Sequence, residues 1–274
     1  MLSNIAFDNA RYPSMNENPA LHPAPQPAAP PREVRVALPA SAPNVTYVIV
    51  GITVFVYILQ LASVYFYGYP ANGIDWLEIF GARINSFIRA GQVWRFFTPA
   101  LLHGSIPHIF FNMYGLVVLG PLLERHFGHK RFLLLYVLAA FSGNVLSFIL
   151  GSENGYSVGA STAIFGLVAA EGVFFFQNKK MFGDQAKRAI GNVVFIIAAN
   201  LFLGLSPGID NWGHVGGLLG GLIFTWYAGP RWQLDGLYPD LRLQDSTELR
   251  EIVNGAGIVL LLFGLLAVWG MFFR

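Results

Sequence analysis

The sequence has no cysteine and little charge. Cys is absent from all 274 residues. That excludes a disulfide framework, a thiol nucleophile, cysteine-ligated zinc and iron–sulfur clusters. Charged residues make up 12% of the chain, against about 25% in a soluble domain. A soluble protein of this size needs a charged shell, and too few charges are present to build one. The formal net charge is +2, and no basic run is long enough to be a nucleic-acid footprint. No His-Glu-x-x-His pattern occurs, which argues against a zinc protease.

What the chain does have is apolar surface, at 54% of residues. One membrane-spanning helix takes about 20 apolar residues, so the composition suits about seven. The expected fold class is therefore all-α, a polytopic membrane helical bundle. Seven apolar segments follow residue 44, at 45–67, 109–123, 132–150, 161–177, 189–205, 212–228 and 256–273. They divide the chain into a tail over 1–44, a six-span core over 45–228, and a linker with a seventh span over 229–274. Nine of the 16 prolines fall in the tail, where they bar helix formation. A disordered, polyproline-like tail is expected there. It lacks an apolar stretch near Met1 and does not read as a cleavable signal peptide.

Lys and Arg set the orientation. Arg32 and Arg35 precede the first span. Arg125, Lys130 and Arg131 fill the second turn between spans, and Lys179, Lys180, Lys187 and Arg188 the fourth. The intervening turns carry only Glu153 and Asp210. The N-terminus is thus expected to be cytoplasmic. The first connection, 68–102, mixes Trp76, Phe80, Trp94 and Phe97 with Arg83, Arg89 and Arg95. It suits a structured segment in the outer headgroup layer.

Ionisable and polar residues inside a membrane are costly, so they are functional candidates by default. His108 and Asn112 are four residues apart at the outer end of the second span and share a face. Ser161 opens the fourth span, and His214 lies near the start of the sixth. The charge-derived topology puts all three helix ends at the outer face. A serine hydroxyl becomes a nucleophile when a base takes its proton, and His214 can be that base. The oxyanion formed on a carbonyl needs preorganised donors. The Ser161 backbone N–H at a helix N-terminus, with the His108 and Asn112 side chains, can supply them. The pairs Gly216/Gly220 and Gly217/Gly221 allow close helix approach, which would bring His214 to Ser161. Phe165, one turn after Ser161, can support the imidazole ring. Asp210 is better placed as a cap for the sixth span than as the third member of a triad. Glu171 lies roughly 15 Å below Ser161 at helical rise, too deep to assist it.

These motifs resemble the rhomboid family of intramembrane serine proteases. The matching residues are Gly159-Ala160-Ser161, His108-x-x-x-Asn112, and His214 followed by Gly217-x-x-x-Gly221, joined by Trp94-Arg95 and Glu124-Arg125. The likeness runs from about residue 45 to 228, so the six-span core resembles a rhomboid protease core. It implies cleavage of transmembrane protein substrates near the outer membrane face by a Ser–His dyad, with neither metal nor cofactor. It also implies a multi-pass protein, with a bacterial cell membrane as the expected location. Thr162 departs from the family, which usually has glycine after the serine. Two other readings compete. A catalytically silent rhomboid-like scaffold would bind transmembrane segments, but it would signal itself by loss of the serine or the base. A secondary transporter would show internal repeats and midplane charges. An aspartyl protease would need two intramembrane carboxylic acids, and no span contains Asp.

Overall fold

The structure, a computed structural model, describes residues 41–71, 73–237 and 241–274. The expected tail lies outside the described residues up to position 40, and Arg32 and Arg35 with it. Among the described residues, one compact unit comprises 234–237 and 241–244, and the other 41–71, 73–233 and 245–274. The second holds every described helix and the site.

The fold is an all-α membrane helical bundle. Its helices are α1 (Asn44–Tyr67), α2 (Trp76–Gly81), α3 (Asn85–Arg89), α4 (Ile106–Leu150), α5 (Ser161–Gln177), α6 (Lys179–Phe182), α7 (Asp184–Leu203), α8 (Asn211–Ala228) and α9 (Leu249–Phe273). Two 3-10 turns, Val93–Phe96 and Thr98–Leu101, precede α4. Strand β1 (Arg83–Ile84) pairs antiparallel with β2 (Tyr156–Ser157). Two further short strands, β3 (Trp232–Asp235) and β4 (Arg242–Asp245), lie between α8 and α9.

Among the described residues, four helices, α1, α4, α7 and α9, are long and apolar enough to cross a membrane. Their outward side chains include Phe55, Ile58, Phe195 and Leu261, all exposed. Such a belt suits hydrocarbon and not water. The seven expected segments correspond to α1, the two limbs of α4, α5, α7, α8 and α9. The turn expected between the second and third segments contracts to a kink at Gly128, whose φ of 74° and ψ of 162° are non-helical. Glycine tolerates that conformation because it has no Cβ. His126, set among the basic residues Arg125, Lys130 and Arg131, places its ring 4.6 Å from Phe174 and near Phe182 and Trp232. His129 stays exposed, with Nδ1 2.6 Å from Glu124 Oε1.

Helix α8 is the wedge of the bundle. A Cβ at Gly216 would lie 2.6 Å from the Ser142 carbonyl oxygen, and one at Gly220 would overlap the Ser142 side chain. Both glycines face α4. A Cβ at Gly217 would overlap the Thr162 carbonyl, and one at Gly221 the Gly166 backbone. These two face α5. The overlapping glycine pairs therefore serve two neighbours at once.

Polar clamps fix the remaining pieces. Buried Glu124 accepts the backbone N–H groups of Val45 and Thr46 at 2.8 and 2.7 Å and the Thr46 hydroxyl at 2.6 Å. It satisfies donors that a helix N-terminus leaves free. In the 68–102 connection, the Arg95 guanidinium donates to the carbonyls of Ala82 and Ile79 and to Gln92 Oε1. Asn144 donates to the Phe96 carbonyl at 3.1 Å, tying that connection to α4. Asp75 caps α2 in a capping box with Glu78.

Glu78 is 4% exposed. Burial, reinforced by the Asp75 charge, pushes its carboxyl up to about 7 from 4.5. Between those values the folded chain holds a proton that the unfolded chain releases. Stability therefore falls as pH rises through that window and is level above it. Thermal unfolding of the purified protein across the window should show this slope. Glu78→Gln preserves the capping geometry and should flatten it. A slope unchanged in Glu78→Gln would assign the proton to another group.

Candidate active site

Ser161 is the first residue of α5. Its strand-and-turn approach runs through β2 to Gly159, at φ 125°. A side chain is strained at that angle, and a Cβ there would lie 2.6 Å from His108 Nε2. Glycine at 159 thus lets the His108 ring come close beside the serine. The Gly159 N–H donates to the Pro99 carbonyl at 2.9 Å, which holds the loop against the 3-10 turn.

His214 sits in the first turn of α8. Asp210 caps that helix, accepting the Gly213 N–H at 2.9 Å, and also accepts the Ser147 hydroxyl from α4. The wedge packing of α8 then sets His214 Nε2 3.0 Å from Ser161 Oγ. The hydroxyl donates to Nε2 when the ring carries its proton on Nδ1. Nδ1 is buried with no hydrogen-bond partner among the described residues. The Phe165 ring stacks on the imidazole at 4.1 Å and an interplanar angle of 9°. Stacking, and not a carboxylate, restrains the ring.

His108 and Asn112 line the same cavity as Ser161 and His214. The Asn112 amide donates one N–H to the His108 carbonyl at 2.8 Å, and an amide nitrogen has a second to offer. Gly217 and Gly221 sit beneath, in the α5–α8 contact. The Asn200 amide donates within its own turn, to the Ile196 carbonyl at 2.8 Å, and not across to another helix as interhelical glue would. It is exposed and lines the cavity.

The amino-acid sequence alone assigns no role to two residues here. His103 is buried, accepts the Ala160 N–H at Nε2 over 3.4 Å, and meets the His108 ring edge-on at 5.0 Å. Gln60 on α1 holds the peptide N–H and carbonyl of His103 at 3.0 and 3.2 Å and donates to Asp75 at 2.6 Å. A glutamine and a histidine amid apolar residues were the available signal.

The cavity has a volume of about 1390 Å³, above the usual small-molecule pocket of roughly 300–1,000 Å³. Its walls are Phe111, Tyr114 and Val118 on α4, Ile164 on α5, and Ile196 and Leu203 on α7. The Ser161–His214 pair thus faces a largely apolar chamber large enough for a stretch of peptide.

Comparison with known proteins agrees with this architecture. Residues 90–231 match the Rhomboid domain family. Rhomboid protease GluP of Bacillus subtilis (strain 168) is 39% identical over 181 residues, 65% of this chain and 34% of GluP. In Arabidopsis thaliana, RHOMBOID-like protein 1 is 37% identical over 54% of this chain and 38% of its own length. RHOMBOID-like protein 7 is 36% identical over 67% of this chain and 58% of its own length. The chain belongs to the rhomboid family and is a multi-pass integral membrane protein. Its match spans about a third of the length of GluP and of RHOMBOID-like protein 1.

The two supports of His214 predict opposite results. Asp210→Ala removes a cap and should cost about 1 kcal/mol of stability, with turnover changed by less than about tenfold. Phe165→Ala frees the ring, and a misplaced base costs about 10²-fold in rate. Measuring kcat for both variants decides between them. A large loss for Asp210→Ala beside a near-normal Phe165→Ala would indicate a triad.

Proposed function

We propose that this chain is an intramembrane serine endopeptidase that cleaves transmembrane segments of membrane proteins with a Ser161–His214 dyad. The observation that carries the reading is the 3.0 Å approach of Ser161 Oγ to His214 Nε2 inside a cavity walled by spanning helices. Kinship to a named rhomboid protease supports it.

In this reading His214 takes the Ser161 proton as Oγ attacks the scissile carbonyl carbon. The tetrahedral oxyanion is met by the Ser161 backbone N–H, the free Asn112 N–H and the His108 ring, with Gly159 leaving room for that ring. His214 then protonates the departing amine, and the C–N bond breaks. Water, deprotonated by the same ring, attacks the acyl ester. The acid is released and Ser161 recovers its proton. Neither metal nor cofactor takes part.

Substrates reach the site as transmembrane helices that must unwind locally, because a helical peptide bond is shielded. Gly, Ala or Pro near the cleaved bond eases that step. The basic turns lie at the opposite ends of α5 and α8 from the dyad. The positive-inside rule then puts the N-terminus in the cytoplasm and the site toward the outer face, and a bacterial cell membrane is the proposed setting.

A fluorophosphonate probe and a reconstituted transmembrane substrate test this together. Wild type should label and cleave. Ser161→Ala should do neither while remaining folded. Cleavage by purified Ser161→Ala would overturn the mechanism, and an unlabelled, inactive wild type would favour a silent scaffold. Asn112→Ala should lower kcat by about 10²–10³, the usual cost of one oxyanion donor. An effect confined to KM would assign Asn112 to substrate contact.

A further inference from the structure

Thr162 has a structural counterpart on two other helices. Its side chain is 3% exposed and enters a slot between α4 and α8. Gly143 of α4 and Gly213 of α8 form that slot. A Cβ at Gly143 would lie 2.6 Å from Thr162 Cβ and 2.9 Å from its Cγ2. One at Gly213 would lie 3.1 Å from the same methyl. The missing side chains of the two glycines are thus replaced by the extra side chain of the threonine.

We propose that Thr162 is a positioning residue whose methyl group sets the distance between the nucleophile and the base. This rests on the dyad reading above. Thr162 directly follows Ser161, and Gly213 directly precedes His214. The methyl contact therefore lies one peptide unit from each member of the pair. Thr162 Oγ1 is buried without a hydrogen-bond partner, so the residue acts through its shape. The carbonyl of Thr162 lies against Gly217, which leaves α8 no room to move toward α5 beneath the site. The cavity is lined by Ser161, Ile164 and Phe165 but not by Thr162. The side chain thus supports the reacting pair from behind and does not touch substrate.

A filled slot holds the dyad in one place. Emptying it leaves the first turn of α8, beyond the fixed Gly217 contact, free to shift by part of the methyl's width, and a change of that size matters to a 3.0 Å hydrogen bond. The oxyanion donors all lie on α4 and α5, so they should be less affected than the base.

The test is a series at one position, Thr162→Val, Thr162→Ser and Thr162→Gly, in the full chain. Each is assayed for kcat, KM and thermal unfolding with a reconstituted transmembrane substrate. Val keeps the branched shape and discards the unpaired hydroxyl, so kcat should stay within about threefold of wild type. Ser keeps the hydroxyl and loses the methyl, so kcat should fall about tenfold. Gly should fall about 10²-fold, the scale of a misplaced catalytic group, with KM unchanged throughout. Restoration by Val but not by Ser is the signature, since it separates shape from hydrogen bonding. The proposal is overturned if Ser matches wild type while Val is inactive. It is also overturned if Ser and Gly both retain wild-type kcat, or if lost activity only tracks the unfolded fraction. Wild type without Ser161-dependent cleavage would sink the dyad reading itself. An active wild type with indifferent Thr162 variants would sink only this one.

Discussion

Everything in this bundle depends on α8 lying backbone-to-backbone against α4 and α5. Lipid tails are as apolar as leucine, so no hydrophobic drive brings spanning helices together. Close van der Waals contact does, and its strength depends on how near two backbones can come. Gly216 and Gly220 admit α4, and Gly217 and Gly221 admit α5. Each lies where a single Cβ would collide with a neighbouring chain. The separation of Ser161 from His214 is a by-product of that packing. Two residues 53 positions apart in sequence meet because four glycines have no side chains.

Two carboxylates at helix ends, Glu124 and Asp210, each have several donors. Glu124 takes two backbone N–H groups, a hydroxyl and a histidine nitrogen. Asp210 takes a backbone N–H and the Ser147 hydroxyl. This pattern is what a low-dielectric surrounding requires, because an unpaired buried charge is far more costly than a paired one. It also separates duties. Asp210 is fully engaged in joining α8 to α4, which leaves the imidazole of His214 to be oriented by Phe165.

Much of this was legible in the sequence, for a physical reason in each case. Segments of apolar residues give the spans because hydrocarbon thickness fixes their length. Ser161, His214, His108 and Asn112 stand out because polar atoms in such segments need a purpose. Phe165 and Asp210 follow from helical spacing. The 125–131 region was harder to read. Its basic residues suggested a solvated turn, but Gly128 makes the reversal so tight that His126 is carried into the Phe174 contact. Nor did residue type alone reveal what His103 and Gln60 do, since their partners lie 57 and 43 residues away. The fit of Thr162 into Gly143 and Gly213 was hidden for the same reason. It is a relation among three helices, and no local pattern encodes it.

Helix α1 illustrates a different kind of constraint. It is anchored near its start, where Glu124 takes the amides of Val45 and Thr46, and again at Gln60, which grips Asp75 and the His103 peptide. The two anchors are about 21 Å apart along the axis at 1.5 Å per residue. Thr46, Ile49, Thr53 and Gln60 are all buried and share one face of α1, and the Gln60 clamp is a side chain held off the helix axis. Tilting or sliding α1 would break a clamp, and rolling it would pull Gln60 from its partners and turn the buried face outward. In kinematic terms α1 is a splined shaft, keyed against rotation as well as against tilt.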